Sequence, residues 1–120
     1  MNATVDVTWV PVCAADDLIA NIGVCAQIQD RQVAVFKLQS GDDINLYAID
    51  NFDPFSQANV LSRGIVGDLK GCDVVASPIY KQHFDLKTGR CLEEDVTIPA
   101  YKVRENNGKI EVLFGSELSE

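Results

Sequence analysis

The sequence predicts an all-β protein, an antiparallel β sandwich or small barrel, and three observations carry that prediction. Short segments of alternating apolar and polar residues recur along the chain, separated by turn-forming residues. Aliphatic β-branched residues are frequent and strong helix runs are few. Near the C-terminus, Asn107-Gly108 lies between two alternating segments, and Asn-Gly supplies the positive φ angles that tight hairpins demand.

Taken in order, Thr8 to Val12 starts the first strand, and Ala14 to Asp17 turns the chain away. Gly23 to Ile28 alternates Val24, Ala26 and Ile28 against Cys25 and Gln27, and Arg31 to Leu38 answers it across a hairpin at Gln29-Asp30. A turn at Ser40 to Asp43 leads to a fourth strand, Ile44 to Ile49. From Asp50 to Lys70 the chain is too polar and too broken for one regular element, so it reads as a structured loop with a short strand near Ile65-Val66. Asp73 to Ala76 resumes strand character until Ser77-Pro78, because proline donates no ladder hydrogen bond. His83 to Asp85 runs into a tight turn at Lys87-Thr88-Gly89. Thr97 to Arg104 faces Lys109 to Phe114 across Glu105 to Gly108, with Ile110, Val112 and Phe114 on one strand face.

A length of 120 residues predicts one domain, residues 1–120, with its core at about 7–114 and a frayed tail at 115–120. A hydrophobic fraction of 47% with 23% charged residues is that of a folded globular chain. The formal net charge of −8 argues against nucleic acid as a partner, since the basic residues are scattered and make no local patch. No charged segment followed by an apolar run opens the sequence, and no stretch nears the roughly 18 apolar residues of a membrane span, so a cytoplasmic location is expected. In that compartment the four cysteines, Cys13, Cys25, Cys72 and Cys91, are expected to stay reduced. Their spacing matches neither a plant-type cluster nor a structural zinc site. His83, the only histidine, has no nucleophile or acid proposed beside it by the sequence and is expected to be structural. Glu93-Glu94-Asp95 lacks the alternation and glycine of a calcium loop and reads as a solvated turn.

The most informative stretches are the two irregular ones. Tyr47 to Phe55 resembles the first cluster-binding loop of Rieske proteins, where a strand runs into Cys-Pro-His or Cys-x-His. Val74 to Gly89 resembles the second, Cys-Pro-x-His-Gly followed by Phe-Asp and a later Gly. Pro54, Pro78, Phe84, Asp85 and Gly89 fall where that family places them, while Lys81 stands where a glycine is expected. Leu61-Ser62 with Gly64, and Ile98-Pro99 with Tyr101 and Val103, resemble the family's segments between and after the loops. The resemblance implies a Rieske-like fold with two loops of a former cluster-binding subdomain.

It also identifies the ligand positions, which hold Asp53, Phe55, Ser77 and Tyr80. A Rieske centre takes two thiolates on one iron and two imidazoles on the other. Phenylalanine has no lone pair to give, and a lone carboxylate cannot replace two thiolates. No catalytic, cofactor-binding or metal-ligating residue is therefore expected in this chain. Phe55 and Tyr80, at the former imidazole positions, are expected to fill the space a cluster leaves. They are also the candidates for docking a partner, because Rieske loops present their tips to partners.

From Trp9-Val10-Pro11-Val12 to Phe114, and most distinctively from Ser62 to Asp85, the sequence resembles the small subunits of NADH-dependent nitrite reductase. That resemblance implies an accessory, non-catalytic role beside a large subunit. The large subunit of this family carries flavin, an iron–sulfur cluster and sirohaem, and it reduces nitrite to ammonium. The rival readings are a Rieske-type two-iron electron carrier of an oxygenase system and a non-redox interaction module.

Overall fold

A computed structural model of the protein describes residues 7–115, and it is all-β. The first strand, β1 (Val7–Ala14), is followed by a 3-10 turn at Ala15–Asp17 and then by β2 (Val24–Ile28), β3 (Arg31–Ser40) and β4 (Asp43–Asp50). The irregular region contains β5 (Phe52–Asp53), β6 (Ala58–Asn59), a 3-10 turn at Leu61–Arg63, and β7 (Ile65–Leu69). β8 (Cys72–Ala76), β9 (His83–Asp85), β10 (Ala100–Tyr101), β11 (Val103–Asn106) and β12 (Lys109–Gly115) complete the chain.

Two sheets form the base, one ordered β1-β12-β11 and the other β10-β4-β3-β2, while β7-β8-β9 and the small β5-β6 ribbon carry the two loops. Two-residue turns set the registers. Ile28 pairs with Arg31 across Gln29-Asp30, as the sequence predicts, and Ser40 pairs with Asp43 across Gly41-Asp42. Leu69 pairs with Cys72 across Lys70-Gly71, and Asn106 with Lys109 across Asn107-Gly108. In these last two turns both residues have positive φ, the type I′ geometry that follows the strand twist.

The unbroken apolar run Val33–Phe36 is fully buried because β3 has core on both faces. Alternate side chains separate: Val33 and Val35 pack with Ile110, Val112 and Phe114 between the base sheets, and Ala34 and Phe36 pack with Leu61, Val75 and Phe84 under the loops. Burying one such side chain contributes roughly 1.5–3 kcal/mol, so β3 ties the loop layer to the base. Gly89 has φ +82, and a Cβ there would stand 2.0 Å from the Ile98 carbonyl oxygen. Only glycine allows that close approach.

Two expectations are revised. The strand predicted from Thr97 to Arg104 is split: Tyr101 pairs with Ala48 of β4, then the chain changes sheets and Val103 pairs with Val112 of β12. Local alternation continues through such a crossing, so it cannot reveal a change of partner. Gly115, assigned to a frayed tail, pairs with Val7, while the rest of that tail lies outside the described residues.

Candidate functional site

The site is built where the two loops meet. The first loop leaves β4 through Asn51, which is buried and bonded on every side. Its backbone N–H donates to the Gln32 carbonyl at 2.9 Å, and its carbonyl accepts from the Leu61 N–H at 3.1 Å. Its side-chain Oδ1 accepts from the Ser62 N–H at 2.6 Å, and Nδ2 donates to Gln32 Oε1 at 3.1 Å. These bonds fix the loop to β3 and to the 3-10 turn. Two residues on, Asp53 is wholly buried, its carbonyl accepting from the Gln57 N–H at 2.7 Å to close the β5-β6 ribbon.

The second loop is closed on itself at Ser77, also wholly buried. The Ser77 N–H donates to the Gln82 carbonyl at 2.9 Å, and its carbonyl accepts from the Lys81 N–H at 3.1 Å. Lys81 has φ +69, so the backbone keeps a left-handed turn at the position where the resemblance expects glycine. Between these anchors Pro78, Ile79 and Tyr80 form an exposed tip, Tyr80 being 59% exposed.

The loops are joined at Asp53 and Ser77, the two positions that the resemblance matches to thiolates. Ser77 Oγ donates to Asp53 Oδ2 at 2.5 Å, inside the protein and across 24 positions of sequence. The same carboxylate accepts from Ser56 Oγ at 2.9 Å and, through Oδ1, from the Phe55 N–H at 2.9 Å. A buried carboxylate is costly unless its oxygens are satisfied, and here both are. Phe55 and Tyr80, which the resemblance matches to imidazoles, differ from each other. Phe55 is half-buried against the core, with its ring 6.2 Å from that of Phe84. Tyr80 points outward.

These residues do not suit a two-iron cluster. Both carboxylate oxygens of Asp53 are engaged by hydrogen-bond donors, and one of those donors is Ser77. Phe55 is no ligand, and Tyr80 faces away. The cysteines offer no replacement within the loops: Cys13 and Cys25 lie in β1 and β2, Cys72 begins β8, and Cys91 is buried beyond the Gly89 turn.

Other polar residues steady the loops. The His83 N–H donates to Glu93 Oε1 at 2.8 Å, and His83 Nδ1 lies 2.6 Å from Glu93 Oε2, a structural role for this histidine. Glu93 is thus a tether, while Glu94 and Asp95 remain exposed as a solvated turn requires. Asp50 lies 3.5 Å from Arg31 Nη1 and accepts from the Tyr101 hydroxyl at 3.4 Å. Burial raises its carboxyl pKa above the ordinary value, and the Arg31 charge only partly offsets this. Tyr47 donates to Asp73 at 2.7 Å, and its pKa is pushed up to about 12 by burial and by that carboxylate. Sequence reasoning missed Asn51, Asp50 and the tether at Glu93. An asparagine directly after a buried strand was the available signal for Asn51; the Glu93 contact, ten residues from its partner, left none.

The chain is similar to known proteins over most of its length. Residues 8–113 match the family described as "Rieske-like [2Fe-2S] domain". The chain is 39% identical over 105 residues to the nitrite reductase (NADH) small subunit of Escherichia coli K12, covering 87% of this chain and 95% of that protein. The crystal structure described as a putative NADH-dependent nitrite reductase small subunit from Mycobacterium tuberculosis superposes with a TM-score of 0.82 at 45% identity, covering 90% of this chain and 96% of that one. A third relative is the nitrite reductase [NAD(P)H] large subunit of Klebsiella oxytoca, 41% identical over 103 residues. Those residues are 85% of this chain and 10% of that protein.

Proposed function

This chain belongs to the family of Rieske-like [2Fe-2S] domains, among the small subunits of NADH nitrite reductase, and on that premise we propose that it is an accessory subunit that binds no cluster of its own. The observation that carries the reading is the buried Ser77–Asp53 hydrogen bond. It takes over the structural duty of a cluster, holding two loops together, without offering a redox centre. Electrons then pass from NADH to nitrite wholly within the large subunit, through the flavin, iron–sulfur cluster and sirohaem expected there. On this reading the complex works in the cytoplasm, in nitrate assimilation.

Two observations support the partnership. A sequence like this one forms about a tenth of a chain named as the large subunit in Klebsiella oxytoca, and domains fused in one organism commonly associate as separate chains in another. The loop tip also offers Ile79 and Tyr80 to solvent, 45% and 59% exposed. An exposed apolar tip on a pinned loop suits docking, and a stable contact buries on the order of 1,200–2,000 Å² in total.

Reconstitution tests this. The large subunit is assayed for NADH-dependent nitrite reduction with and without this chain, and then with Tyr80→Ala and Phe55→Ala. Activity is expected to fall without the chain. Tyr80→Ala is expected to weaken binding about tenfold or more while the chain stays folded by circular dichroism. Phe55→Ala also loses core packing, so its result is read only where folding is retained. Unchanged activity without the chain would remove the accessory role. Stoichiometric iron with a Rieske-type EPR signal would restore electron transfer through it.

A further inference from the structure

We infer that the open edge of β4, with the groove beside it, receives an extended acidic segment of the large subunit by strand addition, an inference that rests on the partnership proposed above. The edge follows from the register. The Asp50 N–H donates to the Pro99 carbonyl at 2.9 Å, so Asp50 turns its backbone groups toward the β10 side. With the period of two, Ala48, Leu46 and Ile44 do the same. β10 is only two residues long and pairs with Ile49 and Ala48. The chain then crosses to the other sheet, where the Lys102 carbonyl accepts from the Leu113 N–H at 2.8 Å. Among the described residues, Leu46 and Ile44 are left without a ladder partner on that side.

Such an edge is usually blunted by lysine, proline or a bulge. β4 carries none of these, and Ile44 is 55% exposed on it. The side chains around the edge are suited to an occupant. A groove of about 480 Å³ runs along it, walled by Trp9, Tyr47, Leu86 and Tyr101. Lys87 and Lys102 also line it, and no carboxylate does. Among the described residues neither lysine has a carboxylate oxygen within 4 Å.

Asp73 accepts from the Tyr47 hydroxyl at 2.7 Å and Asp85 from the Lys87 N–H at 2.8 Å, and among the described residues neither carboxylate pairs with the ammonium of Lys87 or Lys102. In a chain of net charge −8, an unopposed lysine pair over aromatic walls selects for acidic residues on the incoming strand. Main-chain hydrogen bonds to Leu46 and Ile44 supply the register, and the groove reads the side chains.

The test compares the complete chain, Lys87→Glu/Lys102→Glu, and the charge-matched control Lys70→Glu/Lys109→Glu for binding to the large subunit, with amide hydrogen exchange on the free and bound forms. The groove variant is expected to bind at least tenfold more weakly and the control within about twofold of wild type. The amides of Ile44 and Leu46 are expected to exchange fast in the free chain and slowly in the complex. Equal binding by the groove variant, or unprotected amides in the complex, overturns the inference. Protection of the same amides in a self-associated free chain also overturns it, because a second copy then occupies the edge. Failure of the wild-type chain to bind the large subunit would instead overturn the partnership itself.

Discussion

At Asp53 one carboxylate does the work of a cross-link, and the consequence of removing it can be ordered against its partner. Asp53→Ala leaves the Phe55 N–H and the Ser77 hydroxyl without an acceptor inside the protein. Each orphaned buried group costs about 1–3 kcal/mol, so a loss of about 3 kcal/mol is expected in urea denaturation. Ser77→Ala removes one donor from a carboxylate that still holds Ser56 and Phe55, and about 1 kcal/mol is expected. Equal losses would mean that the bond does not join the loops. Lys81 gives a prediction of opposite sign. Its φ of +69 costs an L-residue about 1–2 kcal/mol, and glycine's greater entropy in the unfolded chain returns part of that. Lys81→Gly is expected to stabilise the protein by about 0.5 kcal/mol, and a loss of stability in the same assay would contradict the argument. At this scale the sequence was partly legible. The two loops could be recognised from Pro54, Pro78, Phe84 and Gly89. That Asp53 and Ser77 bond each other could not be read, because the contact spans 24 positions. The outward turn of Tyr80 was equally hidden, since alignment to a ligand position says nothing of where an aromatic ring will point.

Elements set by local rules were legible, and those set by distant partners were not. The turns at Gln29-Asp30 and Asn107-Gly108 could be placed because hairpin geometry depends on the residues within the turn. The crossing at Lys102 and the β5-β6 ribbon depend on which edge is vacant elsewhere in the sheet, and no local pattern encodes that. The same distinction predicts the response of two glycines. Gly108 has φ +81 with nothing within 4 Å of an added Cβ, so Gly108→Ala meets only backbone strain. A loss of about 1 kcal/mol is expected. Gly89 has nearly the same φ, +82, but an added Cβ would collide with the Ile98 carbonyl and displace the chain there. Gly89→Ala is expected to cost about 3 kcal/mol or more, a value typical of overpacking added to strain. Thermal denaturation of the pair checks this: equal shifts in Tm would mean that the loop layer yields freely at Ile98.

For the whole molecule, the relative from Klebsiella oxytoca constrains the assembly. A segment matching 85% of this chain lies within one large chain there, so each large chain carries its own copy of the matched segment. If the free-standing subunit occupies the same place, the complex holds equal numbers of small and large subunits. The fold is compatible with a covalent join as well as with free association. Val7 pairs with Gly115 at the outer end of the β1-β12 ladder, so both ends of the described chain leave from one place on the base. The loop tip is carried by different strands, β8 and β9, and the open β4 edge lies in the other base sheet. Native mass spectrometry of the reconstituted complex is expected to give a one-to-one ratio. A large subunit joined to Val7 or Gly115 by a flexible linker is expected to keep NADH-dependent nitrite reduction without added free small subunit. A different ratio, or a linked chain that still needs the free subunit, would mean that this domain sits elsewhere on its partner than its fused counterpart does.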